Sequence, residues 1–319
     1  MRDLGLVKYD EPFNKLLTQG MVLNEIFYRK PENNRIIYFN PADIEIKTDQ
    51  KGQRISAILK SDGQPVESDG IGTMSKSKNN GVDPQSLIEK YGADTARFFM
   101  MFASPPEQTL EWSDAGVEGA YRFLKRVWNF AQENKVHIKN SMGTKPDWAN
   151  VAHEQKSVRF EIHSIIRQAN HDLEKFQFNT VASACMKILN ALEGNAAPGE
   201  NDNTRNQVIA EGTSLLLRLL SPISPHICDY LWRELGYGDD ILTTTWPQAD
   251  PEALQQDEVE LVVQVNGKLR GKILVPSDAA KQDIEQMALS DENVARFTEG
   301  KNIKKIIIVQ GRLVNIVIS

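Results

Sequence analysis

The spacing of apolar residues changes along this chain of 319 residues, and each spacing predicts a different kind of element. Between residues 24 and 72 the apolar positions form short runs rich in β-branched and aromatic side chains, separated by turn signals such as Asn33-Asn34 and Asp62-Gly63. From Asp83 to about Leu235 they recur every third or fourth residue, as on the buried side of a helix. The pattern therefore predicts a small β module followed by a long helical region.

Two short helices and then a bundle of longer ones are predicted within the helical region. Asp83 can cap the first short helix, Gly92 separates it from the second, and Pro105-Pro106 ends the pair. The first long helix begins at Ser113 or Asp114. Its predicted buried face consists of apolar residues at helical spacing, namely Val117, Ala120, Tyr121, Leu124, Val127, Trp128 and Ala131.

Start and stop signals in the sequence predict the ends of other helices of the bundle. One runs from the cap Asn179 to Gly194, where glycine supplies a left-handed stop, and a surface linker follows from 195 to 203. The last helix has Ser224 as its cap and ends at Gly236. Amphipathic helices joined by short linkers are typical of an antiparallel bundle.

Short strands are predicted at the two ends of the chain. Leu16 to Leu23 is predicted to form one short, largely buried strand. Near the other end, Asn266-Gly267 is a hairpin signal, Pro276-Ser277 a helix start and Gln310-Gly311 a second turn. The resulting order ββααββ predicts a small α+β domain with its helices on one face of the sheet.

Charge and cysteine content narrow the possible functions. The 37 lysines and arginines against 43 acids give a net charge of −6, which argues against a protein that binds polyanions over its whole surface. No run approaches the roughly 18 apolar residues of a membrane helix. Cys185 and Cys228 lie far apart on predicted helices, so we expect core positions, no metal site and a reducing, cytoplasmic environment.

The stretch from Gly72 to Gly81 is the strongest candidate for chemistry. It contains two serines and two lysines in the run Ser75-Lys76-Ser77-Lys78, has no apolar period, and leads into a helix start at Asp83. Ammonium groups, hydroxyls and backbone N–H groups on a loop before a helix suit a polyphosphate. An ordinary solvated turn is the alternative interpretation, because short polar motifs have high false-positive rates.

The string from Met74 to Lys78, followed by Asn79-Asn80-Gly81, resembles the KMSKS signature loop of the class I aminoacyl-tRNA synthetases. The run from Tyr91 to Arg97 and the run from Glu111 to Gly119 resemble the leucine-specific members, the bacterial leucyl-tRNA synthetases. The signature's first lysine is replaced by Thr73, which leaves Lys76 as its second lysine. By resemblance, the ATP-binding residues are Thr73, Met74, Ser75, Lys76 and Ser77, and Lys76 and Lys78 are catalytic.

Basic residues elsewhere are candidates for binding tRNA. Arg122, Lys125 and Arg126 share one side of the first long helix, although a charged helix face is usually only solvated. In the first C-terminal hairpin, alternation predicts that Lys268, Arg270 and Lys272 project from a single face. The segment around them resembles the synthetases' tRNA-binding C-terminal domain. Lys304, Lys305 and Arg312 of the second hairpin complete the predicted set.

The resemblance implies a multi-domain α/β plus α protein whose parts have the following predicted bounds. Residues 1–23 and 73–113 are the end of a Rossmann-like catalytic domain, 24–72 a leucine-specific β insertion, 114–253 an anticodon-binding helical bundle, and 254–319 the tRNA-binding α+β domain. The implied function is the C-terminal part of a leucine–tRNA ligase, with ATP, its Mg²⁺ counter-ion, leucine and tRNA(Leu) as partners. A monomeric full enzyme and no membrane association are also implied.

Two other interpretations remain open at this stage. The chain contains no His-x-Gly-His string, the partner signature of this class, so we expect it to be inactive by itself. One alternative is therefore a non-catalytic RNA-binding subunit that keeps the stretch from Gly72 to Gly81, here called the lysine loop, only as a relic. The valine or isoleucine enzyme is the other, although the β insertion and the ββααββ tail favour leucine.

Overall fold

The computed structural model describes residues 1–11, 13–31, 35–51, 54–144, 148, 151–195, 203–255, 258–276, 279–309 and 311–319. They form two compact units, Met1–Ala249 and Asp250–Ser319. The turns predicted at Asn33-Asn34 and Gln310, the linker at 196–202 and Ser277 itself lie outside the described residues. The helix start predicted at Pro276-Ser277 is wrong, because Pro276 is the last residue of a strand and the helix begins at Lys281.

The described residues of the first unit include six strands. They are β1 (Val22–Arg29), β2 (Ile37–Phe39), β3 (Ile44–Thr48), β4 (Arg54–Leu59), β5 (Glu67–Thr73) and β6 (Leu110–Glu111). One sheet has the order β2-β1-β5 and also pairs β6 with β1 in parallel, while β3 and β4 form a separate antiparallel hairpin. The hairpin packs on the sheet through a small core of Phe27, Ile44, Ala57 and Leu59.

Strand β1 is continuous across the predicted edge of the β insertion at residue 24. Its first residues pair with β6 and with the end of β5, and its last residues pair with β2. The predicted bounds of the insertion, 24 and 72, therefore fall inside β1 and β5. The described insertion is an extension of the sheet beside the lysine loop.

The strand predicted at Leu16–Leu23 is wrong except for its last two residues. Leu16 and Leu17 are 68% and 43% exposed in irregular backbone, because strand partners among the described residues begin only at Val22. Gly20 packs closely against the connector before β6: its N–H donates to the Pro106 carbonyl, and a Cβ there would lie 2.2 Å from the Gln108 oxygen.

In the described part of the first unit, seven α-helices share one hydrophobic core. They are α1 (Pro84–Tyr91), α2 (Ala93–Ala103), α3 (Asp114–Ser141), α4 (His153–Glu174), α5 (Phe178–Asn195), α6 (Asn203–Leu220) and α7 (Pro225–Leu235). Cys185 and Cys228 are buried in this core, as predicted, and burial raises the pKa of both thiols. Within the described residues, no helix combines the length and the apolar character needed to cross a membrane.

Several predicted helix ends and faces are confirmed, but the cap Asn179, the end at Gly194 and part of the α3 face are wrong. Helix α5 begins at Phe178, so Asn179 lies inside it. Ser113 caps α3 by accepting from the Gly116 N–H, and Gly236, at φ 85°, ends α7. Gly194 continues α5 with no left-handed conformation, so α5 ends one residue later than predicted. On the face of α3 predicted to be buried, Tyr121 and Trp128 remain 41% and 37% exposed, since they lie at its margin.

The second unit has the predicted order ββααββ. Its elements are β7 (Glu258–Val265), β8 (Lys268–Pro276), α8 (Lys281–Ser290), α9 (Glu292–Thr298), β9 (Ile303–Val309) and β10 (Leu313–Ile318). The sheet order is β8-β7-β10-β9, with β7 and β10 parallel at its centre. Asn266 and Gly267 have φ of 49° and 76°, as a type I′ turn requires. Apolar residues of both helices pack on one sheet face, as predicted.

Candidate functional site

The lysine loop connects the sheet of the first unit to the start of α1. Thr73 ends β5 opposite Leu23 of β1, and the Met74 N–H donates to the Val22 carbonyl at 3.0 Å. At the other end, the Asp83 carboxylate accepts from the backbone N–H groups of Ser86 and Gln85, and these bonds lower its pKa. Both ends of the loop are therefore held by regular structure.

The side chains predicted to contact phosphate lie at the tip of this loop. Lys76 and Ser77 are exposed, and Lys78 is half-buried. Neither lysine forms an ion pair with any described residue. Ser75 Oγ lies 3.3 Å from Ser77 Oγ and accepts from the Lys78 N–H at 3.3 Å. Two ammonium groups without a carboxylate partner give the tip a positive charge that is available to an anion.

Several backbone N–H groups of the loop already donate to acceptors in the protein, so fewer are available to an anion than the composition indicates. Those of Met74, Ser75, Lys78 and Asn79 are hydrogen bonded within the protein. Among the described residues, this leaves the N–H groups of Lys76 and Ser77 at the tip without a protein acceptor. At the tip, a backbone contribution to binding an anion therefore comes from the same two residues that carry the exposed side chains.

Asn80 fixes the conformation of the loop and is completely buried. Its Oδ1 accepts from the Ser75 N–H at 2.8 Å, and its Nδ2 lies 3.3 Å from the carbonyl oxygens of Asn24, Gly72 and Thr73. Its own carbonyl accepts from Asn24 Nδ2 at 3.1 Å. One amide thus connects the loop to both β5 and β1. The sequence analysis did not assign a role to this residue.

The β insertion contacts the loop directly. Asn40 Nδ2 donates to the Gly81 carbonyl at 2.9 Å, and Asn79, at φ 50°, reaches the Tyr38 carbonyl at 3.5 Å. These contacts place the segment after β2 beside the C-terminal side of the loop. A change in the insertion can therefore alter the loop without touching the lysines.

A cleft of about 600 Å³ lies between the insertion, α1 and α3. Asn24, Asn40, Lys90, Tyr91 and Trp112 contribute to its walls, together with carboxylates. The carboxylates are Asp43, Asp83, Asp114 and Glu118. Their charge disfavours a polyphosphate in this cleft, so the exposed tip at Lys76 is the better phosphate site.

The predicted cationic face of α3 is partly neutralised. Arg126 pairs with Glu193 and also donates to Asn190 Oδ1 at 2.7 Å, while Arg122 lies 3.9 Å from Glu118. Lys125 is exposed and has no ion pair with a described residue. Of the three, Lys125 therefore has the charge that is most available to RNA phosphates.

Helix α2, the second helix after the lysine loop, is joined to the start of α7. The Asp94 carboxylate of α2 accepts from the Ile227 N–H at 2.7 Å and from the His226 N–H at 3.4 Å, and lies 2.8 Å from His226 Nδ1. Arg97 donates to the Ile223 and Pro222 carbonyls at 2.9 Å. Asp94 therefore caps α7, and the predicted cap Ser224 instead lies 3.3 Å from the Asp94 carbonyl.

The predicted single face of Lys268, Arg270 and Lys272 is wrong. A β-bulge between the pairs Val263–Gly271 and Gln264–Leu269 leaves Arg270 without a partner. Side chains two positions apart across the bulge therefore no longer lie on the same face of the sheet. Lys272 is on the face away from the helices and pairs with Glu260 at 2.8 Å. Arg270 instead lies over the ring of Phe297 in α9, at 3.8 Å.

The cations of the second hairpin are also distributed unevenly. Lys305 pairs in register with Val317, and the register shifts beyond it, so Lys304 has no direct partner on β10. Lys304, Lys305 and Arg312 are all exposed. The three side chains are accessible, but the backbone does not arrange them as a regular row.

Comparisons with known proteins point to one family. Residues 155–285 match the model described as the anticodon-binding domain of tRNA ligase, and residues 59–113 match that of class I tRNA synthetases (I, L, M and V). The leucine–tRNA ligase of Nitrosospira multiformis is 56% identical over 319 residues, which are 100% of this chain and 36% of that protein. That of Herminiimonas arsenicoxydans is 55% identical over 320 residues, covering 99% of this chain and 36% of the relative.

A solved structure is similar over the whole chain. It is a crystal structure of LeuRS from Agrobacterium radiobacter in a ternary complex with tRNA and LeuAMS, with a TM-score of 0.68 and 25% identity, covering 100% of this chain and 35% of that one. The chain thus spans about a third of the length of the relatives it matches. These similarities confirm the resemblance drawn from the motifs.

Proposed function

The chain is homologous to the C-terminal portion of the leucine–tRNA ligases, and from this we propose that it supplies the phosphate-contacting loop and tRNA-binding surfaces of such an enzyme. The reaction proposed for the longer enzyme is ATP-dependent activation of leucine followed by transfer of leucyl to tRNA(Leu). One observation carries the proposal. The loop that resembles the class I signature presents Lys76 at an exposed tip, with no carboxylate partner among the described residues.

The proposed role of Lys76 follows from the charge that develops in the first step. A leucine carboxylate oxygen attacks the α-phosphorus of ATP, and the bond to the bridging oxygen breaks as pyrophosphate leaves. Negative charge accumulates on the bridging and leaving oxygens. A positioned ammonium stabilises that charge more in the transition state than in the ground state, which lowers the barrier.

The other residues at the tip support the same contact. Lys78 and the hydroxyls of Ser75 and Ser77 lie in the same turn, and the N–H groups of Lys76 and Ser77 face no protein acceptor among the described residues. Thr73, at the signature's first lysine position, lies in β5 and contributes a hydroxyl but no charge. ATP, with Mg²⁺ as its counter-ion, fits this set of donors.

Binding of tRNA is proposed for surfaces on each of the two units. Lys125 is the leading candidate on the bundle, with Arg122 and Arg126 as weaker ones because carboxylates already face them. In the second unit the candidates are Lys268, Arg270, Lys272, Lys304, Lys305 and Arg312. Contacts of this kind to phosphates fix position and carry little sequence information.

Replacement of Lys76 by alanine in a full-length enzyme carrying this segment tests the proposal. We expect ATP–pyrophosphate exchange to fall by about 10²–10³-fold, the usual effect of removing one such donor. Affinity for tRNA should change less than about 3-fold, because few phosphate contacts are removed. Lys187→Ala is the matched control, since Lys187 is an exposed lysine on α5. Unchanged exchange in Lys76→Ala would refute the proposed role of the loop.

A further inference from the structure

We propose that Asn80 is a positioning residue that holds Lys76 in place for the reaction, an inference that depends on the function proposed above. Asn80 does not reach the exposed tip itself, because its side chain is fully buried below the loop. Its effect is transmitted through Ser75, which precedes Lys76 in the chain.

The hydrogen bonds of Asn80 join the two sides of the loop. Its Oδ1 accepts from the Ser75 N–H at 2.8 Å, and its Nδ2 lies 3.3 Å from the Gly72 and Thr73 carbonyls on β5. Ser75 in turn accepts from the Lys78 N–H through its hydroxyl. Without the amide, the Ser75 N–H would lose its acceptor. Ser75, which also closes the turn by accepting from Lys78, would then be free to move.

Asn80 also connects the loop to a strand outside it. Asn24 Nδ2 donates to the Asn80 carbonyl at 3.1 Å, and Asn80 Nδ2 lies 3.3 Å from the Asn24 carbonyl. Asn24 is on β1, which pairs with β5 and β6. The reciprocal pair thus fixes the loop with respect to the centre of the sheet.

The chemistry of this position requires an amide. The same side chain must accept from one N–H and donate to carbonyl oxygens, and only an amide of this length does both. Alanine removes the acceptor of the Ser75 N–H and the donor to the carbonyls of Asn24, Gly72 and Thr73. Aspartate keeps the acceptor but places a carboxylate oxygen against three carbonyl oxygens, so it should be no better than alanine.

The size of the effect follows from the geometry that charge stabilisation demands. A displacement of about 1 Å at a reacting group can cost on the order of 10²-fold in rate. We expect Asn80→Ala to lower kcat for ATP–pyrophosphate exchange by about 10–100-fold in the full-length enzyme. The KM for leucine should change less than about 3-fold, since the loop's predicted contact is with phosphate.

A double-mutant cycle with Lys76 separates positioning from general damage. If Asn80 acts through Lys76, adding Asn80→Ala to Lys76→Ala should cost less than about 3-fold further, because the group being positioned is already absent. Multiplicative losses in the double variant would overturn the inference. So would wild-type exchange by Asn80→Ala. If Lys76→Ala alone has no effect, the proposed function fails first, and the inference fails with it.

Two further variants test whether the loss in Asn80→Ala comes from positioning or from general damage to the loop. Asn24→Ala removes one link to Asn80 while leaving the Asn80 amide itself, and should lower exchange by about 3–10-fold with the same non-additivity toward Lys76→Ala. Asn79→Gly is the matched control: it keeps the positive φ of 50° and removes only the 3.5 Å contact to Tyr38. Its exchange should stay within about 2-fold of wild type, and a loss equal to that of Asn80→Ala would contradict the proposal.

Discussion

The contact of Asp94 with the start of α7 allows a specific prediction about stability. The Asp94 carboxylate, 13% exposed, takes the place of a local helix cap by accepting from the His226 and Ile227 N–H groups. Loss of a cap costs about 0.5–2 kcal/mol. Loss of a negative charge at the positive end of a helix adds about 0.3–1 kcal/mol. Asp94→Ala should therefore destabilise the first unit by about 2 kcal/mol.

Thermal and urea unfolding of the chain, followed by far-UV circular dichroism, measure this effect. For a unit of this size, about 2 kcal/mol corresponds to a fall in Tm of roughly 4–8 °C. Asp94→Asn keeps an oxygen that can accept from one N–H and loses the charge, so about half of the loss is expected. The exposed carboxylate Asp239 provides the control, and Asp239→Asn should change stability by less than about 0.5 kcal/mol.

Two results would refute the reasoning on Asp94. One is a stability of Asp94→Ala within about 0.3 kcal/mol of wild type, which would mean that water replaces the carboxylate without loss. The other is an equal loss in Asp239→Asn, which would assign the effect to net charge. The intermediate behaviour of Asp94→Asn is the feature that only a cap explains.

Three further outcomes are expected. Hydrogen bonds from His163 and Arg159 outweigh the opposing effect of burial and lower the pKa of Glu211. The stability from Glu211 is therefore complete above its unfolded pKa of 4.5 and is lost as the pH falls from there through the lower folded pKa. Glu211→Gln should cost about 3 kcal/mol at pH 7 and reduce the fall of the urea midpoint at pH values below 4.5. Gly271→Ala should destabilise the second unit by about 1–3 kcal/mol in urea unfolding, since a Cβ there would lie 2.6 Å from Asp291 Oδ1. In filter binding to tRNA, Lys305→Ala should reduce the salt slope by about 1, and Lys272→Ala by less, because Glu260 already faces Lys272.

Much of the fold was predictable because its signals are local. Ser113 as a cap, Gly92 as a break and Asn266-Gly267 as a turn each act within a few residues, and the structure has them as predicted. Helical periodicity likewise predicted five of the ten buried residues of α3, and it missed Phe123 and Phe130. Tyr121 and Trp128 were misassigned because periodicity gives the direction of a face but not its width.

The residues that hold the candidate site together could not be predicted in the same way. Asn80 bonds to Asn24 across 56 positions, and Asp94 caps a helix 132 positions away. An asparagine in a polar loop and an aspartate early in a helix both have ordinary local explanations. Only the packing of the two segments shows that the local explanation is incomplete.

The bulge at Arg270 illustrates a different limit. Strict alternation predicts a single face for Lys268, Arg270 and Lys272, and none of these three side chains marks an extra residue. The structure indicates the reason at Gly271, where α9 approaches the strand so closely that a Cβ would collide with Val294 at 2.9 Å. A glycine in a strand interior is the one available signal for such an irregularity.

The continuity of β1 limits where this region can change in length. A deletion that removes residues 25 to 69 would take away β2, β3, β4, the start of β5 and the last five residues of β1. Only Val22, Leu23 and Asn24 of β1 would remain to pair with β6 and the end of β5. Asp49, Gln50 and Lys51 follow β3 and have no partner on β4, so residues can be gained or lost there without shifting β1. Related proteins should accordingly differ in size at that hairpin while keeping the length of β1 constant.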